Sequence, residues 1–180
     1  MNYIQLAMRT NSNLTGCFGI PADLLHATLG LVDEHFEYQA ADSWLNAVEE
    51  LGDMCWFVAL AANALPSRAN PFEGYETFLA LNPDAPLLAD AIAEIVDQVK
   101  RAYAYGKPLV EIKERLEFLL CVIVARISVI AEQKCKRELH ELLSANISKL
   151  SARYPEKFDQ GMALVRTIKN ESSAMRATLQ

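Results

Sequence analysis

Apolar residues recur along this chain at intervals of three and four positions, which is the period of a helix buried on one face. The sequence lacks the alternation of apolar and polar residues that marks a half-buried β-strand, and it lacks paired runs of this kind joined by hairpin turns. The pattern therefore predicts an all-α fold.

Prolines, glycines and capping residues predict where the helices begin and end. Pro21 and Pro108 suit the first turn of a helix, because proline lacks only a backbone N–H that has no helical partner there. Asp42 or Ser43 can cap the helix that follows them, and Gly106 suits a helix C-terminus. The predicted helices are residues 3–9, 21–41, 43–65, 75–81, 87–105, 108–132 and 136–152.

The order of these helices suggests two hairpins. The first covers residues 21–65 and the second covers residues 87–132, with a proline-rich connection over residues 66–86 between them. Two successive hairpins have the outline of a degenerate internal duplication. A closing helix completes a helical bundle that occupies residues 1–158, and residues 159–180 are predicted to be a polar C-terminal tail.

Four acidic residues interrupt the apolar pattern of the first hairpin. They form two pairs at a spacing of three residues, which places both carboxylates of a pair on one helix face, about 60° apart. Both pairs are equidistant from the predicted turn near Ser43, so an antiparallel hairpin brings all four carboxylates level. The pairs are Glu34 with Glu37 and Glu50 with Asp53.

Four converging carboxylates repel one another unless a cation lies among them. A site made only of oxygen ligands suits a hard divalent ion, Mg2+ in the first place, with Mn2+ as a substitute. Gly52 lies inside the same helix, at a cost of about 1 kcal/mol relative to alanine, and it suits the close approach of a facing helix or a metal. The alternative is that these acids are ordinary solvated helix charges. The spacing alone leaves both interpretations open.

The second hairpin keeps an acidic pair on its first helix only. Glu94 and Asp97 repeat the spacing of three residues. On the facing helix, Arg115 and Phe118 stand where further carboxylates would be required. We therefore expect one metal site, in the first hairpin, and a structural role for the second hairpin.

Composition and charge restrict the class of protein. Hydrophobic residues make up 52% of the 180 residues and charged residues 22%, which is typical of a globular protein. The formal charge of −6 argues against nucleic acid as a partner. The longest apolar run, Phe118 to Ala125, is far shorter than the roughly 20 residues of a membrane span, and the N-terminus lacks a signal-peptide pattern. We expect a soluble cytoplasmic protein with no membrane partner.

Cysteine and histidine do not suggest a metal site of their own. The cysteines show no C-x-x-C spacing, so we interpret them as reduced residues and expect no zinc site. His26 and His35 have no partner at metal-ligand spacing and are interpreted as structural residues. The cysteines are Cys17, Cys55, Cys121 and Cys135.

Longer segments around the acidic pairs resemble a known family. Residues 33–37 read Asp-Glu-His-Phe-Glu, and residues 50–53 read Glu-Leu-Gly-Asp after a spacer of twelve residues. Residues 105–108 read Tyr-Gly-Lys-Pro, and residues 146–158 contain the ending Arg-Tyr-Pro-Glu-Lys-Phe. Together these segments resemble the MazG-like all-α nucleoside triphosphate pyrophosphatases, whose tandem-repeat relatives include the dimeric dUTPases.

The resemblance implies an enzyme that cleaves a nucleoside or deoxynucleoside triphosphate to the monophosphate and pyrophosphate. The four acids of the first hairpin would hold Mg2+ together with the phosphates of the substrate. Glu34 or its neighbour Asp33 would orient the water that attacks the α-phosphorus.

Candidate substrate-binding residues lie on two helices. Asn146, Lys149 and Arg153 share one helical stripe and are able to reach a phosphate or a sugar from one face. Phe57 lies four residues beyond Asp53 on the same face, where its ring can stack on a base. The alternatives are a polar outer face for the stripe and an ordinary core aromatic for Phe57.

Two further functions are compatible with the sequence, namely a dUTP-selective enzyme and a non-catalytic helical module that senses a nucleotide or a metal.

The sequence also suggests self-association, because the helix predicted over residues 108–132 carries more apolar surface than one intramolecular face requires. We therefore expect a homodimer whose interface draws on this helix.

Overall fold

The computed structural model describes residues 2–11, 19–66, 70–154 and 168–179 of the chain. These residues form eight α-helices and no strand, so the predicted all-α class is confirmed. The helices are α1 (Tyr3–Ala7), α2 (Ala22–Ala40), α3 (Trp44–Ala64), α4 (Tyr75–Leu81), α5 (Leu88–Tyr105), α6 (Leu109–Ile130), α7 (Leu139–Arg153) and α8 (Ile168–Thr178).

The serine, glycine and proline residues predicted at helix ends lie at or next to those ends. The Ser43 side chain accepts a hydrogen bond of 3.2 Å from the backbone N–H of Asn46 and so caps α3. Gly106 follows α5 in the left-handed conformation, at φ 70°, which glycine adopts without steric cost. Pro21 and Pro108 stand immediately before α2 and α6, one place earlier than predicted.

Both predicted hairpins are present, and they share one core. Helix α2 packs against α3, and α5 packs against α6. Contacts between α2 and α5, and between α3 and α6, join the two hairpins. Helices α1 and α7 both pack against α3, which carries two of the candidate metal ligands. The origin of the hairpins in a duplication stays a prediction.

Helix α6 is covered within the chain itself. Its apolar residues pack among α3, α4 and α5, and its large exposed apolar side chains lie near its ends, at Val110 (77% exposed) and Val129 (37%). The argument that a second copy is needed to cover this helix is therefore wrong, while the homodimer itself stays a prediction. The buried residues of α6 include Ile112, Leu116, Leu119, Leu120, Ile123 and Ile127.

The C-terminal region departs from the predicted polar tail. Residues Ile168–Thr178 form α8, which packs along α7. Met175 and Leu179 are buried one helical turn apart, and Glu171 is buried one turn earlier. The prediction was wrong here because two apolar residues among polar neighbours give a weak periodic signal, and only packing against α7 reveals their role. Residues 155–167 lie outside the described residues.

The cysteines and the apolar length of the helices bear on two further expectations. Cys55, Cys121 and Cys135 are free thiols, and burial raises the pKa of each of them, as expected for reduced core residues. Cys17 lies outside the described residues. In the part of the chain that the structure covers, no helix combines the length and the apolar character needed to cross a bilayer.

Candidate metal centre

The acids of the first hairpin meet where α2 faces α3. One carboxylate oxygen from each of Glu34, Glu50 and Asp53 lies within 4.8 Å of the others. Glu37 is one turn further along α2, lines the same cavity and raises the pKa values of Glu34 and Glu50 through charge repulsion. The hairpin thus brings three of the predicted ligands together and places the fourth at the edge of the cluster.

Burial makes this cluster electrostatically costly without a cation. Burial is the largest cause that raises the pKa of Glu34, followed by repulsion from Asp53 and a side-chain hydrogen bond with Glu50. Burial and the charge of Asp53 also raise the pKa of Glu50, although the hydrogen bond with Glu34 opposes this. Without a metal, a proton held by Glu34 and donated to Glu50 therefore relieves the repulsion.

The stability of the metal-free protein should fall as pH rises. The pKa of Glu34 is raised to about 9 and that of Glu50 to about 7, so the folded protein binds protons that the unfolded chain releases. This stabilisation is fully present below the unfolded pKa of about 4.3 and is lost as pH rises through the folded values. Urea unfolding in a chelator at about pH 5, 7 and 9 should show the decline. The Glu34→Gln variant should show a shallower one, and an equal slope in both proteins would contradict this assignment.

The carboxylate of Asp53 is held by two donors from α7. Asn146 Nδ2 donates to Asp53 Oδ1 at 2.7 Å, and Lys149 Nζ binds Asp53 Oδ2. Lys149 also lies 3.3 Å from Glu49 Oε1, and its side chain is only 4% exposed. Burial lowers the pKa of Lys149, but Asp53 and Glu49 raise it by more, so the ammonium stays charged. These donors fix the orientation of the Asp53 carboxylate.

Helix α7 reaches Asp53 because α3 has a glycine at the contact. A Cβ atom on Gly52 would lie 3.2 Å from the Cβ of Asn146, which is tighter than an ordinary contact. The close approach predicted for Gly52 is therefore observed, but the helix that approaches is α7 and not the hairpin partner α2. Asn146 in turn accepts a hydrogen bond of 2.9 Å from the hydroxyl of Tyr3 in α1.

The predicted substrate-binding stripe on α7 has a different arrangement from the one expected. Asn146 and Lys149 are buried and contact Asp53, so they do not form a polar outer face. Arg153 lines the cavity and lies 3.7 Å from Glu171 of α8. Direct contact of these residues with a substrate stays a prediction, whereas the support that Asn146 and Lys149 give to Asp53 is observed.

A cavity of about 360 Å³ opens beside the acids, and this volume lies within the usual range for small-molecule sites. Acidic side chains line one wall, which includes Asp33, the alternative candidate for orienting water. Aromatic side chains line another wall, and basic and apolar residues from α7 close the space. The lining residues are Thr10, His26, Asp33, Glu34, Glu37, Asp53, Trp56, Phe57, Lys149, Leu150, Arg153 and Tyr154.

The aromatic wall is a compact cluster of three rings. The ring of His26 lies 5.4 Å from that of Phe57 and 6.1 Å from that of Trp56, both in edge-to-face geometry. Trp56 Nε1 donates to the carbonyl of Ala7 and to the hydroxyl of Thr10, both at 3.1 Å. Phe57 also lines the cavity, as its predicted stacking role requires.

Sequence reasoning missed His26 and Trp56 as cavity residues. His26 lies seven residues before Asp33, and Trp56 lies three residues after Asp53. Both spacings put the aromatic ring on the same helix face as an acid of the site. This signal was present in the sequence. Burial lowers the pKa of His26, although the charge of Asp23 partly opposes this. The lowered pKa favours a neutral imidazole in the cavity wall.

The acidic pair of the second hairpin is paired with basic residues. Arg115 of α6 makes two hydrogen bonds to the carboxylate of Glu94, at 2.6 and 2.7 Å. Asp97 pairs with Lys100 at 2.8 Å and with Arg101 at 2.7 Å. These acids are neutralised by cations of the protein, and the described residues hold no second acidic cluster of this kind.

The acidic cluster of the first hairpin has the composition of a site for a hard cation. Its candidate ligand atoms are all carboxylate oxygens, and two of its members, Glu34 and Asp53, line a cavity. Comparisons with protein families, with characterised proteins and with solved structures found no match. Fold and site together define an all-α protein with an acidic cluster able to bind a metal ion, and the family resemblance stays a prediction.

Proposed function

We propose that this protein is a metal-dependent nucleotide pyrophosphohydrolase of the MazG-like kind, which cleaves a nucleoside or deoxynucleoside triphosphate to the monophosphate and pyrophosphate. One observation carries the proposal. One cavity is lined both by acids of the metal-compatible cluster, Glu34 and Asp53, and by aromatic rings of α2 and α3. A nucleoside triphosphate has the matching halves, because its phosphates require a cation and its base presents a flat aromatic face.

The acids hold the metal ion and receive the proton of the attacking water in this proposal. A Mg2+ ion, when bound at the cluster, would supply charge neutralisation on the triphosphate. Glu34, Glu50 and Asp53 would hold the ion with Glu37 at the edge of the cluster, while Asp33 or Glu34 accepts a proton from the attacking water. The water oxygen bonds to the α-phosphorus, and the bond from that phosphorus to the bridging oxygen breaks. Pyrophosphate leaves with the bridging oxygen and its electron pair.

The remaining walls of the cavity suit the rest of the substrate. Lys149 and Arg153 place positive charge beside the acids, where the outer phosphates would lie. His26, Trp56 and Phe57 provide apolar surface for the base. The Phe57 ring packs directly on Gly30 of α2, at a point where a Cβ atom would lie only 2.2 Å from the ring.

A nucleotide panel tests the proposal. Each common NTP and dNTP, with dUTP included, is incubated with the protein at millimolar Mg2+ and in a chelator, and pyrophosphate is measured. We expect Mg2+-dependent pyrophosphate release from at least one nucleotide. Release from dUTP alone would identify the dUTP-selective version. Absence of turnover with every nucleotide would reject the enzyme and favour a non-catalytic nucleotide or metal sensor.

The difference between the hairpins gives a prediction about activity. Glu94→Ala and Asp97→Ala should leave turnover much less affected than Glu37→Ala, because Arg115, Lys100 and Arg101 already neutralise the acids of the second hairpin. The three variants should be compared in the pyrophosphate assay at saturating Mg2+. Equal losses in all three would show that the catalytic cation is not confined to the first hairpin.

A further inference from the structure

An N-terminal tyrosine is linked to the candidate metal centre by a chain of hydrogen bonds. The hydroxyl of Tyr3 donates to Asn146 Oδ1 at 2.9 Å, and Asn146 Nδ2 donates to Asp53 Oδ1 at 2.7 Å. These contacts join residues 143 and 93 positions apart in the sequence. The chain therefore joins α1, α7 and α3 at one point.

The two hydrogen bonds of Asn146 reinforce one amide orientation. The Asp53 carboxylate only accepts hydrogen bonds, so Asn146 turns its NH2 group to Asp53 and its oxygen to Tyr3. An amide oxygen only accepts as well, so the hydroxyl of Tyr3 is the donor. The hydrogen bond from Tyr3 therefore holds the amide in the orientation in which Asn146 donates to Asp53.

The position of the Tyr3 ring does not depend on its hydroxyl. The ring packs edge-to-face against Phe72 at a centroid distance of 4.9 Å. The capping box between Asn2 and Gln5 stabilises the start of α1, and the carbonyl of Ala7 accepts a hydrogen bond from Trp56. Removal of the hydroxyl alone should therefore leave α1 in place.

We propose that Tyr3 is a positioning residue of the metal centre, which acts through Asn146 to hold the Asp53 carboxylate in the orientation that binds a divalent cation. The inference rests on the proposed function, since it assumes that Asp53 is a metal ligand. Loss of a residue that orients a metal ligand commonly weakens metal binding by about 10- to 100-fold. We expect the lower end of this range, because Lys149 still holds the other oxygen of Asp53.

Binding of Mn2+ tests the inference without an activity assay. The free Mn2+ signal in electron paramagnetic resonance is followed for the wild type, for Tyr3→Phe and for the control Tyr105→Phe. Tyr105 is a suitable control because it is 75% exposed. Tyr3→Phe should bind Mn2+ about tenfold more weakly. Tyr105→Phe should match the wild type. Equal affinity of Tyr3→Phe and the wild type would overturn the inference.

A double variant tests the route through Asn146. Asn146→Ala should weaken Mn2+ binding by itself, and Tyr3→Phe added to it should have no further effect. A second loss in the double variant would show that Tyr3 acts by another route and would overturn the inference. If Tyr3→Phe does not fold, Asn146→Ala alone tests the inference. Unchanged Mn2+ affinity in Asn146→Ala would then show that the hydrogen bonds through Asn146 do not affect the metal centre. A wild type that binds no Mn2+ would instead reject the proposed metal centre.

Discussion

Replacing Glu50 by glutamine should reduce nucleotide hydrolysis by about 100-fold or more, because the change removes a ligand charge and a metal ion commonly contributes several kcal/mol to such reactions. The stability of the metal-free protein should not fall. Burial and the charge of Asp53 both oppose the ionisation of Glu50, so a neutral side chain at this position relieves repulsion. Loss of activity without loss of stability separates a functional acid from a structural one.

Pyrophosphate release and urea unfolding in a chelator measure the two effects in Glu50→Gln. Glu111→Gln, an exposed acid on α6, is the matched control and should match the wild type in both assays. Turnover of Glu50→Gln near the wild-type rate would remove Glu50 from the site. Asp53→Ala should abolish hydrolysis as well, but it should also destabilise the fold, because Asp53 accepts hydrogen bonds from Asn146 and Lys149.

Replacing Lys149 by methionine should destabilise the protein by about 3 kcal/mol, because it leaves two carboxylates of α3 without their cation. The Lys149 side chain is 4% exposed, and its nitrogen contacts both Asp53 and Glu49. Methionine has a similar length and fills the same space. The measured quantity is the free energy of unfolding in urea, in a chelator.

Lys100→Met is the matched control, because Lys100 also pairs with an acid but its side chain is 53% exposed. Its effect should be small, since solvent screens exposed ion pairs. Added Mg2+ should restore part of the stability of Lys149→Met, because a bound cation also neutralises Asp53. A free energy of unfolding for Lys149→Met close to that of the wild type would show that the buried ion pair is not important for the fold.

Local signals account for how well the helices could be predicted. A capping serine at residue 43 and a glycine at residue 106 act through contacts within a few residues, so the sequence shows them directly. The cover of α6 and the packing of α8 on α7 depend on helices far apart in the sequence. Periodicity shows that a face is apolar, but it does not show what covers that face.

The same difference separates the two halves of the site. Glu34 and the pair Glu50 and Asp53 come together through helical spacing and one short turn, so their convergence could be predicted. The contact of Lys149 with Asp53 joins residues 96 positions apart, and it depends on the angle at which α7 crosses α3. The sequence shows that the stripe on α7 is polar, but only the structure shows that its first two members turn inward to Asp53.

Cleavage in water labelled with heavy oxygen tests the central claim most directly. The protein is incubated with Mg2+ and the nucleotide that it turns over best, and the products are analysed by mass spectrometry. We predict heavy oxygen in the nucleoside monophosphate, unlabelled pyrophosphate, and no reaction in a chelator or with Glu50→Gln. Release of labelled orthophosphate and a nucleoside diphosphate, or cleavage that persists in the chelator, would contradict metal-dependent attack at the α-phosphorus.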